Sequence, residues 1–191
     1  MNEITIAHRH GMTRIILLAA PGSEDWMEVK RRALITVGKH PVNPPDSDWI
    51  SAMLEARHSP IRRAVYSFEF RGIPSNTATH FCRHVHAQPY VSTLRTDRAR
   101  EIDGDQAPRC TPVDMILDVN AEELMVMANK RLCRQAAEIT CAIMRGLAQL
   151  AGEATPEIAP LLVPMCEYHG GVCHELISCG RCPRERTIDH D

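Results

Sequence analysis

Apolar and polar positions along the chain divide into runs whose periods predict alternating strands and helices. Residues 1–11 carry no sustained apolar run and read as a flexible N-terminal arm. TRIILLAAPG reads as a short buried strand closed by Pro21 and Gly22. Ser23 is placed to cap a helix to about Val37, Pro44 and Pro45 break the chain, and Asp46 or Ser47 caps a second helix, DWISAMLEARH, that stops before Pro60. In AVYSFEFRG, Tyr66, Phe68 and Phe70 alternate on one face, as in a strand. Pro74 and Ser75 open the next helix, residues 99–112 read as a loop, and PVDMILDV is a further strand. Asn120 with Glu123 three positions on resembles a capping box. Behind it, Leu124, Ala128, Leu132, Ile139, Ile143 and Leu150 form one stripe and predict a single long helix to Gly152. Thr155, Pro156 and Glu157 start a short helical turn, and residues 165–191 form a tail punctuated by Gly, Pro and Cys.

Charge narrows the function classes. Twenty-two Lys and Arg against 24 Asp and Glu give a net charge of -2, so no global basic field draws nucleic acid or an acidic membrane. Neither is expected as a partner. MNEITIAHRHGMTR lacks the apolar core of a signal peptide, and the aliphatic run Ile15 to Ala20 is too short to span a bilayer. The expected compartment is the cytoplasm, where structural disulfides are uncommon. Of eight cysteines, Cys82, Cys110, Cys133 and Cys141 lie in periodic segments and read as packing residues, whereas Cys166, Cys173, Cys179 and Cys182 crowd the tail.

One helix stands apart. From Ser75, a period of 3.6 puts Ala78, Phe81, Cys82 and Val85 on one side and Asn76, Thr79, His80, Arg83 and His84 on the other. The polar side carries no acid. A solvated face normally mixes signs, whereas guanidinium forks and imidazoles without carboxylates suit a phosphate-bearing aromatic ligand. His80 and His84, one turn apart, also have metal-ligand spacing, but Arg83 between them opposes a cation and no carboxylate follows within the helix. Beyond Gln88-Pro89-Tyr90, which breaks the pattern, Ser92, Thr93 and Arg95 place hydroxyls, backbone N–H groups and a guanidinium in one short loop, a phosphate-cradling set. On the long helix Arg131, Gln135 and Glu138 border the apolar stripe, either satisfying one another or facing a ligand.

These segments resemble the flavin-dependent thymidylate synthases. ARHSPIRRAVYSFEFRGIPSNTATHFCRH is similar to that family's His-x-Ser segment, Phe-rich strand and Arg-His-Arg helix; STLRTDR is similar to the Ser-x-x-Arg-Tyr end of the same signature; NAEELMVMANKRLCRQAAEI is similar to its later Asn-Ala-Arg-Ser-Leu segment. The resemblance runs in order over roughly residues 13 to 150 and implies an α/β fold, a mixed sheet with flanking helices that include one long C-terminal helix, over residues 12–164. It implies a homotetramer with FAD held between subunits and contacted by His58, Ser59, Arg83, His84 and Asn120. His80, Ser92, Thr93, Arg95 and Arg131 would bind a pyrimidine nucleotide. Arg131, preferred to Lys130 on the helical-face argument, would be the catalytic cation. The implied reaction is C5 methylation of dUMP to dTMP, with methylenetetrahydrofolate as one-carbon donor and NADPH as reductant.

The family's motifs are not fully kept. Val85 stands at the third Arg-His-Arg position, His80 replaces the usual Gln, Tyr90-Val91 replaces an Asn-Glu pair, and Glu122 stands where Arg is usual. Hydroxymethylation or another C5 modification of a different pyrimidine nucleotide is therefore the nearest alternative. A zinc-stabilised binding module, with Cys166, Cys173, Cys179 and Cys182 as ligands, is the alternative from another class. The preferred reading of the tail is metal-free, covering the site through Met165, Tyr168, Val172 and Leu176, with His169 and His174 as polar contacts.

Overall fold

The computed structural model describes residues 2–95, 97, 103–104 and 106–184, so Thr96, Arg98 and the last seven tail residues lie outside the described residues. Strands β1 (Glu3–His8), β2 (Gly11–Ala19), β3 (Val65–Pro74), β4 (Ala87–Val91) and β5 (Pro112–Asn120) form one five-stranded sheet in the order β1-β2-β3-β5-β4. Helices α1 (Ser23–Ile35), α2 (Ser47–Glu55), α3 (Ser75–Cys82), α4 (Ala121–Arg131), α5 (Glu138–Ala154) and the single turn α6 (Met165–Tyr168) accompany it. The α/β class with helices flanking a multi-stranded sheet is as expected. The sheet, however, is antiparallel at every strand pairing rather than mixed. Neighbouring strands run in opposite directions, while β3 and β4, both paired with β5, run parallel to each other and are joined by a crossover through α3.

Alternation decides which side of the sheet is covered. Ile15, Tyr66, Phe68, Phe70, Met115 and Leu117 point to one face and are buried there. The opposite face presents Arg14, Glu69, Arg71 and Asp114, with Arg71 and Glu69 paired at 2.8 Å. Asp46 caps α2 by accepting from the Trp49 backbone N–H at 2.8 Å, one of the two caps foreseen.

Three elements depart from the sequence expectation. Residues 3–8 are not an arm but the edge strand β1, hairpinned to β2, with Ile4 and Ile6 turned toward the core. Two isoleucines are too short a pattern to announce a strand until α5 supplies the surface that covers them. Gln88, Pro89 and Tyr90 lie inside β4, where proline is tolerated because the strand is at the edge of the sheet. The expected long helix is two: α4 ends at Arg131, residues 132–137 turn, and α5 begins at Glu138. The apolar stripe cannot reveal this break, because Leu132 and Ile139 are seven positions apart, close to two helical turns, and stay in phase across it.

Gly146 sets how closely α5 approaches the N-terminal hairpin. A Cβ there would lie 2.8 Å from Ile15 Cδ1 and 3.7 and 3.8 Å from methyl groups of Ile6 and Ile4. Gly146→Leu is expected to cost about 1–3 kcal/mol by overpacking. Thermal denaturation should register a Tm loss of roughly 2–4 °C per kcal/mol. Gly146→Ala, which asks only the end of Ile15 to move, should cost much less.

Candidate functional site

Helix α3 begins on backbone supplied by the segment before β5. Ser75 and Asn76 donate their N–H groups to Thr111 O at 3.0 Å and Arg109 O at 2.9 Å. These bonds satisfy donors that a helix start leaves without intrahelical partners. The helix stops at Cys82, with Arg83 as C-cap and the His84 N–H closing onto Phe81 O at 3.2 Å. The helical wheel therefore fails in its last positions. Val85, expected inside, is 83% exposed, and Cys82 is exposed too, while His84, expected on the ligand side, is buried.

Burial of His84 assembles a chain of polar groups between α3 and α4. Its Nδ1 lies 2.8 Å from Glu123 Oε1, and its Nε2 accepts from Arg131 Nε at 3.2 Å. Arg131 Nη2 donates to the His80 carbonyl at 2.9 Å, and His80 Nδ1 is 2.7 Å from Thr140 Oγ1 on α5. Asn120 begins α4 by accepting from the Glu123 N–H at 2.9 Å. Only half of the anticipated capping box forms, because the Glu123 carboxylate turns to His84. With both ring nitrogens of His84 engaged, the His80–His84 metal reading has no free ligand at one of its two positions.

The ionisable groups of this cluster act on one another. Burial, then repulsion from Arg131 and Arg83, lowers the His80 pKa. Burial and then Arg83 lower that of Arg131. Burial also lowers His84, opposed by its bond to Glu123. Arg83 is exposed and has no carboxylate partner among the described residues. Lys130 points away and pairs with Glu175 of the tail at 2.7 Å, and Gln135 donates to the Ile177 carbonyl. Neither Gln135 nor Glu138 pairs with Arg131 among the described residues, so the self-satisfying arrangement weighed from sequence does not form.

His80, Arg83, His84, Asn120 and Arg131 thus gather at one place, and other candidates do not join them. Ser92 follows the far end of β4, where it exchanges bonds with the Asp114 backbone at 2.8 and 3.0 Å. Thr93 Oγ1 accepts from the Arg95 N–H at 3.0 Å, and the exposed Arg95 guanidinium forks onto Asp97 at 2.9 and 2.7 Å. His58 and Ser59 border a separate cleft with Thr36, Val37 and Met53, between α1 and the end of α2. Sequence reasoning missed Glu123 and Thr140 as partners of the histidines. Glu123 was visible only as a cap residue, and Thr140 as one more position of the long helix.

The tail docks against the last turn of α4. Arg57 donates to Asn129 Oδ1 at 2.6 Å and lies 4.2 Å over the Tyr168 ring, while Asn129 Nδ2 donates to Val163 O at 2.8 Å. Met165, Tyr168 and Val172 are partly covered, but Leu176 is 62% exposed and does not dock as anticipated. Cys133 is not a simple packing residue: it meets Cys179, and Cys166 meets Cys182. Burial pushes Cys166 up to about 11, whereas backbone N–H donation from Arg181 lowers Cys179. Contacts thus run between pairs of thiols, and among the described residues no three Cys, His, Asp or Glu side chains are arranged to hold a metal.

Neither a protein-family model nor a curated protein matches the sequence. Solved structures do. The crystal structure of thymidylate synthase X from Helicobacter pylori with FAD and dUMP is similar with a TM-score of 0.63 at 14% identity, covering 78% of this chain and 98% of that one. A second structure, flavin-dependent thymidylate synthase from Helicobacter pylori complexed with FAD and dUMP, is similar with a TM-score of 0.59 at 14% identity over 75% and 97% of the two chains. The fold is the one that the sequence resemblance implied. Among the described residues no helix is long and apolar enough to cross a membrane.

The lowered pKa values of His80 and His84 have a pH consequence. A histidine held below its unfolded value stabilises the fold above that value, about 6.5, and the contribution is lost as pH falls below it toward the folded value. Urea denaturation between pH 8 and 5 should show stability falling on the acid side of about pH 6.5. His84→Asn should flatten that slope.

Proposed function

We propose that this protein is a flavin-dependent enzyme that methylates C5 of dUMP to give dTMP, with methylenetetrahydrofolate as one-carbon donor and NADPH as reductant. The observation that carries the reading is the cationic, exposed end of α3. There Arg83 and Arg131 stand together without an acid of their own, on a fold shared with proteins solved with FAD and dUMP. The donor set fits such ligands: guanidinium forks match phosphate oxygens, and imidazoles can lie against ring systems. Arg83 and Asn120, with His58 and Ser59, would hold FAD, with His84 buried behind them and acting through Arg131 rather than as the FAD contact expected from the resemblance, and His80, Ser92, Thr93, Arg95 and Arg131 would hold the nucleotide.

These residues do not meet within one chain, which supports a homotetramer in which neighbouring copies complete each site. His58 and Ser59 line another cleft, and Ser92 to Arg95 lie a strand's length from His84. Bound flavin supplies the reducing equivalents for the one-carbon transfer. The chain's own part is electrostatic. Arg131 is held by His84 and the His80 carbonyl through Nε and Nη2, which leaves Nη1 to meet a pyrimidine carbonyl and stabilise negative charge developing on the ring. Arg95 sits on the surface with Asp97, and an exposed pair of this kind is worth at most about 1 kcal/mol, so it can be exchanged for a phosphate at little cost.

Purified protein is expected to show flavin absorbance or to bind FAD at micromolar concentration; failure of both would remove the proposal. Arg83→Ala should weaken FAD binding while leaving the melting temperature nearly unchanged, because the side chain is exposed at a helix end. An equal loss of both would make it a structural arginine. Arg95→Ala should leave bound flavin in place and weaken dUMP binding roughly tenfold or more, as expected for a lost charge-assisted contact of about 1.5–3 kcal/mol. An unchanged dUMP titration would take Arg95 out of the site.

A further inference from the structure

Glu123 is 6% exposed and lies in the first turn of α4, where the helix's N-terminal partial charge favours a carboxylate. Nothing in the resemblance gives it a role. Its partner His84 is 9% exposed and touches Glu123 on one side and Arg131 on the other. Arginine has only donors, so the 3.2 Å bond from Arg131 Nε makes His84 Nε2 an acceptor. The ring proton must then sit on Nδ1, which donates to Glu123 Oε1 at 2.8 Å. One tautomer of neutral His84 satisfies both neighbours. The other presents N–H to N–H at Arg131 and leaves Glu123 without a donor, and an imidazolium likewise loses the Arg131 bond.

We infer that Glu123 is a positioning residue: by selecting the Nδ1–H tautomer of His84 it fixes an acceptor for Arg131 Nε and so aims the remaining guanidinium nitrogen out of the cluster. The aim has two fixed points, His84 Nε2 and the His80 carbonyl, and only the second is backbone. The charged groups acting on His84 are Glu123 and Arg131 from α4, with Arg83 near Arg131 at the end of α3. The carboxylate therefore stands behind the imidazole rather than beside the guanidinium, and Arg131 is oriented without being neutralised by a direct ion pair.

The structural part of this inference stands apart from the proposed reaction; its effect on turnover rests on that reading. Nitrogen-15 NMR of His84 in the wild-type protein tests the first part without flavin or nucleotide. The expected result is neutral His84 as the Nδ1–H tautomer at pH 7, with the Arg131 Nε–H slowed in exchange. An Nε2–H tautomer, or a charged ring at pH 7, would overturn it. Glu123→Gln keeps an amide oxygen that can still accept from Nδ1–H and serves as the conservative control, whereas Glu123→Leu keeps the bulk and removes the acceptor. Glu123→Leu should lose the exchange protection of Arg131 Nε–H, and equal protection in this variant and the wild type would show that Glu123 does not position Arg131.

If the wild type turns over dUMP, Glu123→Leu should lower kcat about tenfold or more, with KM for dUMP and FAD affinity changed less than about threefold and the acid limb of the pH profile shifted, and Glu123→Gln should recover most of the rate. Equal losses in kcat, KM and FAD affinity would mark a structural residue only and overturn the positioning role. A wild-type protein with the expected His84 tautomer but no flavin binding would sink the proposed function and leave the Glu123–His84–Arg131 linkage standing.

Discussion

The central constraint is the antiparallel pairing of β3 with β5, because each strand runs without a loop into a helix that carries part of the cluster. Pro74 faces Pro112 at one end of the pair and Val65 faces Asn120 at the other, so α3 and α4 start from opposite ends. A strand of this length spans close to 30 Å at about 3.3 Å per residue. Helix α3 travels back about 1.5 Å per residue, and β4 then pairs its Ala87 with Val119. The chain between them, Arg83 to His86, is thereby delivered beside Asn120 and the first turn of α4. Shortening α3 by a turn or shifting β4 by two residues would separate His84 from Glu123.

Polar groups rather than apolar contacts define what happens at that junction. The aromatic side of α3 is anchored by Phe81 packing on Phe70, with ring centroids 5.9 Å apart, which sets the height of the helix on the sheet. The buried histidine and glutamate then decide its rotation. A buried imidazole, carboxylate and guanidinium are costly unless each finds a partner. Here they satisfy one another in sequence, and the positive charge emerges only at the exposed end, beside Arg83.

Much of this was legible in the sequence. Alternation at Tyr66, Phe68 and Phe70 marked the central strand, Asp46 and Asn120 marked two helix starts, and the absence of acids around Arg83 marked the cationic face. The adjacent Arg131 and Lys130 part company: the first joins the histidines and the second turns to Glu175. What was not legible depended on long-range partners. Nothing local says that α3 stops at Cys82, so His84 and Val85 were assigned to the wrong surroundings. Nor does any local pattern send the Glu123 carboxylate to an imidazole 39 residues earlier, or Cys133 to a thiol in the tail. The break between α4 and α5 was hidden by an apolar stripe that stays in phase across it.

Gly146 also bears on the order in which the molecule is built. The hairpin of β1 and β2 is synthesised well before α5, yet Ile4, Ile6 and Ile15 find their cover on that helix, which lies more than 120 residues later. Contacts of such long sequence separation form late, since the intervening loop must close first. During synthesis the hairpin therefore waits with its isoleucines exposed and an unpaired edge beside them, a nascent state in need of protection until α5 has emerged.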